Sequence, residues 1–166
     1  WEIVRVDGAL VGINPLNANR VVGGALEAST VPGVEPYGSV RREVLYGEGS
    51  RVDFLLSEAG LPDCFVEVKN VHLSRETGLA EFPDAVTSRG AKHLAELARV
   101  KAEGNRALML FLVQREDCDR FQVAGDIDPA YRAAVETAFA AGVEVLCLAC
   151  RVSLTDITVV QRIAFD

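Results

Sequence analysis

Lysine, histidine and methionine are scarce in this chain: three lysines and two histidines occur among 166 residues, and the one methionine is Met109. Positive charge is short overall, since 17 Lys and Arg face 24 Asp and Glu for a formal net charge of −7. That acidic balance counts against the broad basic footprint usual for a nucleic-acid binder, unless the basic surface is local or is carried by a segment outside these residues. No apolar run approaches the roughly 20 residues needed to cross a bilayer, the longest lying around Ala107–Val113. The expectation is therefore neither a membrane protein nor a secreted peptide with its signal attached. Because the first residue is Trp1 and Met109 lies deep in the chain, the sequence is expected to be part of a longer protein. The hydrophobic content of 49% and charged content of 25% are those of a folded domain, and the length suits one domain rather than two.

Cysteine is present four times, as Cys64, Cys118, Cys147 and Cys150. Cys147-Leu-Ala-Cys150 has the CxxC form of a redox pair or half a zinc site. It lies in a predicted strand, however, where residues three apart point to opposite faces. There is no second CxxC, and neither His72 nor His93 stands at metal spacing to it. Buried structural thiols in a reducing cytoplasm are the expectation.

The patterning alternates between strand and helix signals. Trp1–Asn14 predicts a hairpin about Asp7-Gly8, and Pro15–Ala28 predicts a helix with Asn14 as its cap. Val31–Gly38, with two prolines and two glycines, predicts a loop. Strands are expected at Val40–Tyr46, Arg51–Leu56 and Cys64–Leu73, joined by Gly47–Ser50 and by a turn around Gly60, as an antiparallel meander. A helix over Pro83–Glu103, a buried strand over Ala107–Gln114, a helix over Asp128–Ala141 and a strand over Val143–Cys150 complete the series. The fold class that follows is α/β: one domain over residues 1–166, with a mixed central sheet, an antiparallel meander and flanking helices.

The second hairpin carries the chemistry. Centring it on Gly60 sets Asp53 opposite Glu67, where two like charges about 5 Å apart destabilise the pair unless a cation joins them. Lys69 supplies one positive charge on the face of Glu67 and leaves room for a hard metal ion. Asp…Glu-x-Lys on adjacent strands suits metal-dependent phosphodiester hydrolysis: the carboxylates hold Mg2+ or Mn2+, and the lysine positions water or offsets charge on phosphate. Glu43, on the neighbouring strand, is a candidate third carboxylate. The ordinary alternative is a solvated Glu67–Lys69 pair worth under ~1 kcal/mol, although the apolar flanks Phe54, Leu55, Phe65, Val66 and Val68 argue for burial. On the long helix Arg89, Lys92 and His93 face differently from Val86, Leu94 and Leu97, giving candidate phosphate contacts to which Arg51 is added. A solvated amphipathic helix face is the alternative there.

Ser50-Arg-Val-Asp-Phe54, Pro62-Asp-Cys-Phe-Val-Glu-Val-Lys-Asn-Val71 and Phe82-Pro-Asp-Ala-Val-Thr-Ser-Arg-Gly-Ala-Lys-His-Leu94 resemble the sugar fermentation stimulation protein (SfsA) family. Trp1-Glu2 with Val11-Gly-Ile-Asn14, Asn17-Ala-Asn19 and Ile127-Asp-Pro-Ala-Tyr131 add weaker support. The resemblance implies a bacterial or archaeal cytoplasmic DNA-binding protein linked to control of sugar utilisation. It also implies a main domain similar to the PD-(D/E)XK nuclease fold, preceded by an OB-like barrel that is expected to fall outside this chain. In that scheme Asp53, Glu67 and Lys69 match the nuclease motif and Glu43 an upstream acidic position. Ser88 and Ala91 stand where the family more often carries glutamate and glutamine.

Three functions follow as expectations. The first is a DNA-binding protein, acting on double-stranded DNA without sequence preference through a Mg2+-dependent nuclease-like site. The second is an active metal-dependent endonuclease. The third is a non-catalytic interaction module in which the triad is a polar cluster. If Asp53 and Glu67 point to opposite sheet faces the nuclease reading fails, and if Arg89 and Lys92 lie far from the same cleft the phosphate-face reading is dropped.

Overall fold

The computed structural model describes residues 2–34, 37–47 and 49–166. Trp1 of the expected hairpin, Glu35 and Pro36 of the expected loop, and Glu48 of the Gly47–Ser50 connection lie outside the described residues. Strands β1 (Ile3–Val6) and β2 (Ala9–Gly12) form the predicted hairpin. Helix α1 (Pro15–Glu27) starts where the sequence places it, with the Asn14 side chain accepting the Leu16 N–H at 3.1 Å.

The meander is β3 (Ser39–Tyr46), β4 (Ser50–Ser57) and β5 (Cys64–Val71). With β8 (Arg106–Val113), β10 (Glu144–Val152) and β11 (Ile157–Arg162) it builds a six-stranded sheet in the order β11-β10-β8-β5-β4-β3. Strands β5, β8 and β10 run parallel, and the outer pairings are antiparallel, so the sheet is mixed as expected. Each face of this sheet buries its own core. Ala18, Val22 and Leu26 of α1 cover Phe54, Val66, Leu110 and Leu148. On the other face α2 (Ser88–Ala102) and α3 (Pro129–Ala140) lay Leu94, Leu97, Tyr131 and Val135 over Val52, Leu55, Met109 and Phe111.

The structure corrects three expectations. Helix α2 begins at Ser88 rather than at Pro83, because Thr87 is the cap: its side chain accepts the Gly90 N–H, and its own N–H goes to Asp128 Oδ2 at 2.8 Å. Val86, expected on the helix, therefore sits exposed before it, and Asp84 caps nothing but lies 3.4 Å from His72 Nε2. Strand β5 stops at Val71, and Leu73 opens a new strand. Last, a second sheet was not foreseen: β6 (Leu73–Glu76), β7 (Gly78–Phe82), β9 (Cys118–Val123) and β12 (Ala164–Phe165) assemble in the order β12-β9-β7-β6.

The cysteines behave as the strand reading requires. All four are buried thiols outside any disulfide, with Cys147 in the α2/α3 core and Cys150 in the α1 core. Burial pushes both thiols up to about 12, so neither is a ready thiolate.

Candidate metal and nucleic-acid site

Strands β4 and β5 pair Leu56 with Cys64, Leu55 with Phe65 and Phe54 with Val66, the register that the turn around Gly60 predicts. The ladder ends there. At the next position Asp53 Oδ2, rather than a main-chain carbonyl, accepts the Val68 N–H at 2.7 Å. Asp53 thus sits in a fork between two strands, with its other oxygen taking the Asn19 Nδ2–H of α1 at 2.7 Å.

The fork coincides with a slip in side-chain alternation. Val52 belongs to the α2/α3 core and Phe54 to the α1 core, although residues two apart on a regular strand share a face. Strand β3 slips at the matching place, with Val40 packed on the α1 side and Val44 on the other. Between them Glu43 takes φ 53°, a left-handed conformation uncommon for a residue with a Cβ. The two carboxylates consequently do not stand side by side on one face, as simple alternation predicted. Asp53 lies edgewise in the fork, reached from the α1 side, while Glu67 and Lys69 pair with Met109 and Phe111 and share their α2/α3 face.

Glu67 is 2% exposed. Its Oε1 accepts from Lys69 Nζ at 2.7 Å and from His93 Nδ1 in a short contact. Its Oε2 is buried with no hydrogen-bond partner. The hydroxyls of Tyr46 and Tyr131 are also buried and unpartnered, and the Glu67 charge adds to burial in pushing both upward in pKa. Burial raises the Asp53 pKa, and the neighbouring Glu67 charge raises it further. Burial works the same way on Glu67, but hydrogen bonds from His93 and Lys69 and the Lys69 charge outweigh it and hold that carboxyl below its ordinary range. One carboxylate is thus clamped by cationic and polar donors, while its neighbour in the fork resists ionisation.

The remaining predicted residues divide. Arg89 is exposed and donates from Nε to His93 Nε2 at 3.3 Å, so it borders the site. His93 is buried against Glu67 rather than displayed among surface phosphate contacts. Lys92 is exposed and lines a groove of about 520 Å³ with Gly47, Glu96 and Arg99. Arg51 is exposed and donates to the Glu43 carbonyl at 2.8 Å, tying down the left-handed turn of β3. Glu43, on β3 at the position facing Asp53 of β4, is exposed. Sequence reasoning gave no role to Asn19, Tyr46 or Tyr131. Asn19 had a signal, because a short polar amide inside a helix is poorly suited to it unless the side chain has a partner.

Among the described residues no group of three or more His, Cys, Asp or Glu side chains gathers as for a metal. Two carboxylates with one vacant oxygen suit a cation that keeps several waters, as Mg2+ and Mn2+ do. The buried, partnerless Oε2 of Glu67 is the feature that fits such an ion: an anionic oxygen withdrawn from water is costly until something positive meets it. Among the described residues no helix is long and apolar enough to cross a membrane.

A family model described as the sugar fermentation stimulation protein RE domain matches residues 16–156. A sugar fermentation stimulation protein homolog of Dinoroseobacter shibae is 51% identical over 167 residues, covering 100% of this chain and 68% of the relative. One of Rhodospirillum centenum is 54% identical over 149 residues, covering 90% of this chain and 64% of the relative. The chain thus spans about two thirds of the length of these relatives. A similar solved structure is that of Pyrococcus furiosus SfsA in complex with Ca2+, with TM-score 0.90 and 25% identity over 99% of this chain and 71% of that one.

Proposed function

The chain belongs to the sugar fermentation stimulation protein family, and from that premise we propose that Asp53, Glu67 and Lys69 form a divalent-cation centre of the PD-(D/E)XK nuclease type that engages a phosphodiester of double-stranded DNA. One observation carries this reading: the Glu67 carboxylate is buried and turned so that Oε1 is saturated while Oε2 has no partner. A carboxylate kept only for packing has no use for an open oxygen. The relative solved with Ca2+ supports a divalent cation in a protein of this shape, and Mg2+ or Mn2+ is the ion proposed here.

Asp53 and Glu67 are the residues that would hold the ion. When bound, such an ion lowers the pKa of an attacking water and offsets charge on the phosphate. Lys69 keeps one N–H on Glu67 Oε1 and has two more to offer a phosphate oxygen. Arg89, exposed at the start of α2, contacts the neighbouring phosphate. With a net charge of −7 on these 166 residues, DNA contact within this chain falls to such a local patch. The family name joins this chemistry to sugar fermentation, and we propose binding at genes of sugar utilisation as the physiological setting.

Binding without turnover is the second reading, and a specific pair of residues favours it: α2 presents Ser88 and Ala91, neither of which brings an acid or amide to the site. The test is incubation with linear double- and single-stranded DNA in Mg2+, Mn2+ or EDTA, with Glu67→Gln alongside. Cleavage that needs the cation and falls about 10²-fold or more in the variant is the expected result for the enzyme. A cation-dependent gel shift without products assigns the binding reading. No cation-dependent effect on DNA of either kind overturns the proposal.

A further inference from the structure

His93 occupies a position that its place in a basic helix stretch does not suggest. It is 6% exposed, and each of its ring nitrogens has a partner. Arg89 Nε–H donates to Nε2 at 3.3 Å, and an arginine has no acceptor to offer, so Nε2 carries no proton. The ring proton is then on Nδ1, directed at Glu67 Oε1. Lys69 Nζ reaches the same Oε1 at 2.7 Å, so two donors saturate one oxygen and leave the other bare.

We propose that His93 is a positioning residue: Arg89 fixes its Nδ1–H tautomer, and with Lys69 it turns Glu67 so that a divalent cation is bound through Oε2 alone. The inference rests on the cation reading given above. It deepens that reading by assigning the mode of ligation and the residue that enforces it. Single-oxygen ligation suits a small octahedral ion that retains its waters, whereas an ion gripped by both oxygens needs Oε1 free. His93 also explains how α2 bears on the site, since the Arg89–His93–Glu67 chain runs from an exposed guanidinium to a buried carboxylate. Asn19 performs the corresponding service for Asp53 from α1, so each helix layer steadies one carboxylate.

The test is calorimetric titration of the folded protein with Mn2+, together with nitrogen NMR of the histidine rings in the cation-free protein. The spectra should show His93 protonated on Nδ1 and bare on Nε2. His93→Ala should weaken Mn2+ binding about 10- to 100-fold. His93→Asn, whose amide N–H lies where Nδ1–H lay, should recover to within about threefold of the parent, while His93→Gln, one carbon longer, should not. A merely space-filling histidine predicts no such split between the two amides. Wild-type affinity in His93→Ala, equal behaviour of the amides, or a proton on Nε2 overturns the assignment of His93. Wild-type Mn2+ affinity in Glu67→Gln overturns the cation reading itself, and His93 with it.

Discussion

Glu67 and Glu81 are equally shielded from solvent, each with 3% of its side chain exposed, yet the protein satisfies them differently. Glu81, on β7, accepts four hydrogen bonds: Arg75 Nη2 at 2.7 Å and Gln122 Nε2 at 3.0 Å on Oε1, Arg75 Nε at 2.9 Å and the Arg75 backbone N–H at 3.2 Å on Oε2. Arg75 goes on to grip Asp126 at 2.6 and 2.9 Å. Both oxygens are met, the arginine fork is filled, and nothing remains to bind a ligand. Glu67 has its donors crowded onto one oxygen and the other left bare. Burial alone therefore does not separate a structural carboxylate from a functional one, whereas the tally of lone pairs does.

The sharpest way to break this comparison is to remove each acid and measure both stability and cation binding. Glu81→Ala removes the acceptor of four hydrogen bonds and leaves the exposed Arg75 to Asp126 alone, so it should lower Tm by about 5 °C, with Mn2+ affinity of the folded protein unchanged. Glu67→Gln should do the reverse, abolishing Mn2+ binding while Tm stays within about 3 °C. Equal losses of stability from the two would remove the distinction.

Asp53→Asn gives a smaller effect of opposite sign. Burial and the Glu67 charge raise the Asp53 pKa, so its ionised form opposes folding, and the amide should raise the cation-free Tm at neutral pH by about 2 °C. Added Mn2+ should stabilise the parent by mass action and not the variant.

The subtlest contrast lies in pH. The Glu81 pKa is lowered, first by its Arg75 hydrogen bonds, so the stability it confers is fully present above the ordinary carboxylate pKa and is lost as pH falls through the lowered value. The raised pKa of Asp53 works the other way, because protonation on acidification relieves the fold. Thermal melts from pH ~7 down to ~4 should show the Asp53→Asn advantage shrinking while the Glu81→Ala deficit persists. Parallel pH trends would mean that Asp53 is not strained by its neighbours.

The register that brings β4 against β5 was legible, since a short turn centred on Gly60 allows little else, and the resemblance led to the same triad. The face slip at Asp53 was not. It hangs on a left-handed Glu43, and a glutamate gives no hint of positive φ where glycine or asparagine would. The second sheet escaped for another reason. Its strands are short and carry Arg75, Glu76, Glu81, Asp119 and Arg120, so no apolar alternation marks them. At α2 two start signals competed, Pro83 and Thr87, and the side chain able to accept a backbone N–H prevailed. His93, between Lys92 and Leu94, looked like a surface cation because its partner lies 26 positions away in sequence.

The two free thiols of the CxxC have a use that needs no redox or metal chemistry. Cys147 and Cys150 lie on one strand, both pushed to about 12, but each faces a different core, and Cys118 and Cys64 repeat the arrangement. A thiol reagent reaches Cys147 when the α2/α3 face opens and Cys150 when the α1 face opens. The chain thus carries native clocks for the opening of its two faces, and their relative labelling rates report which layer detaches first.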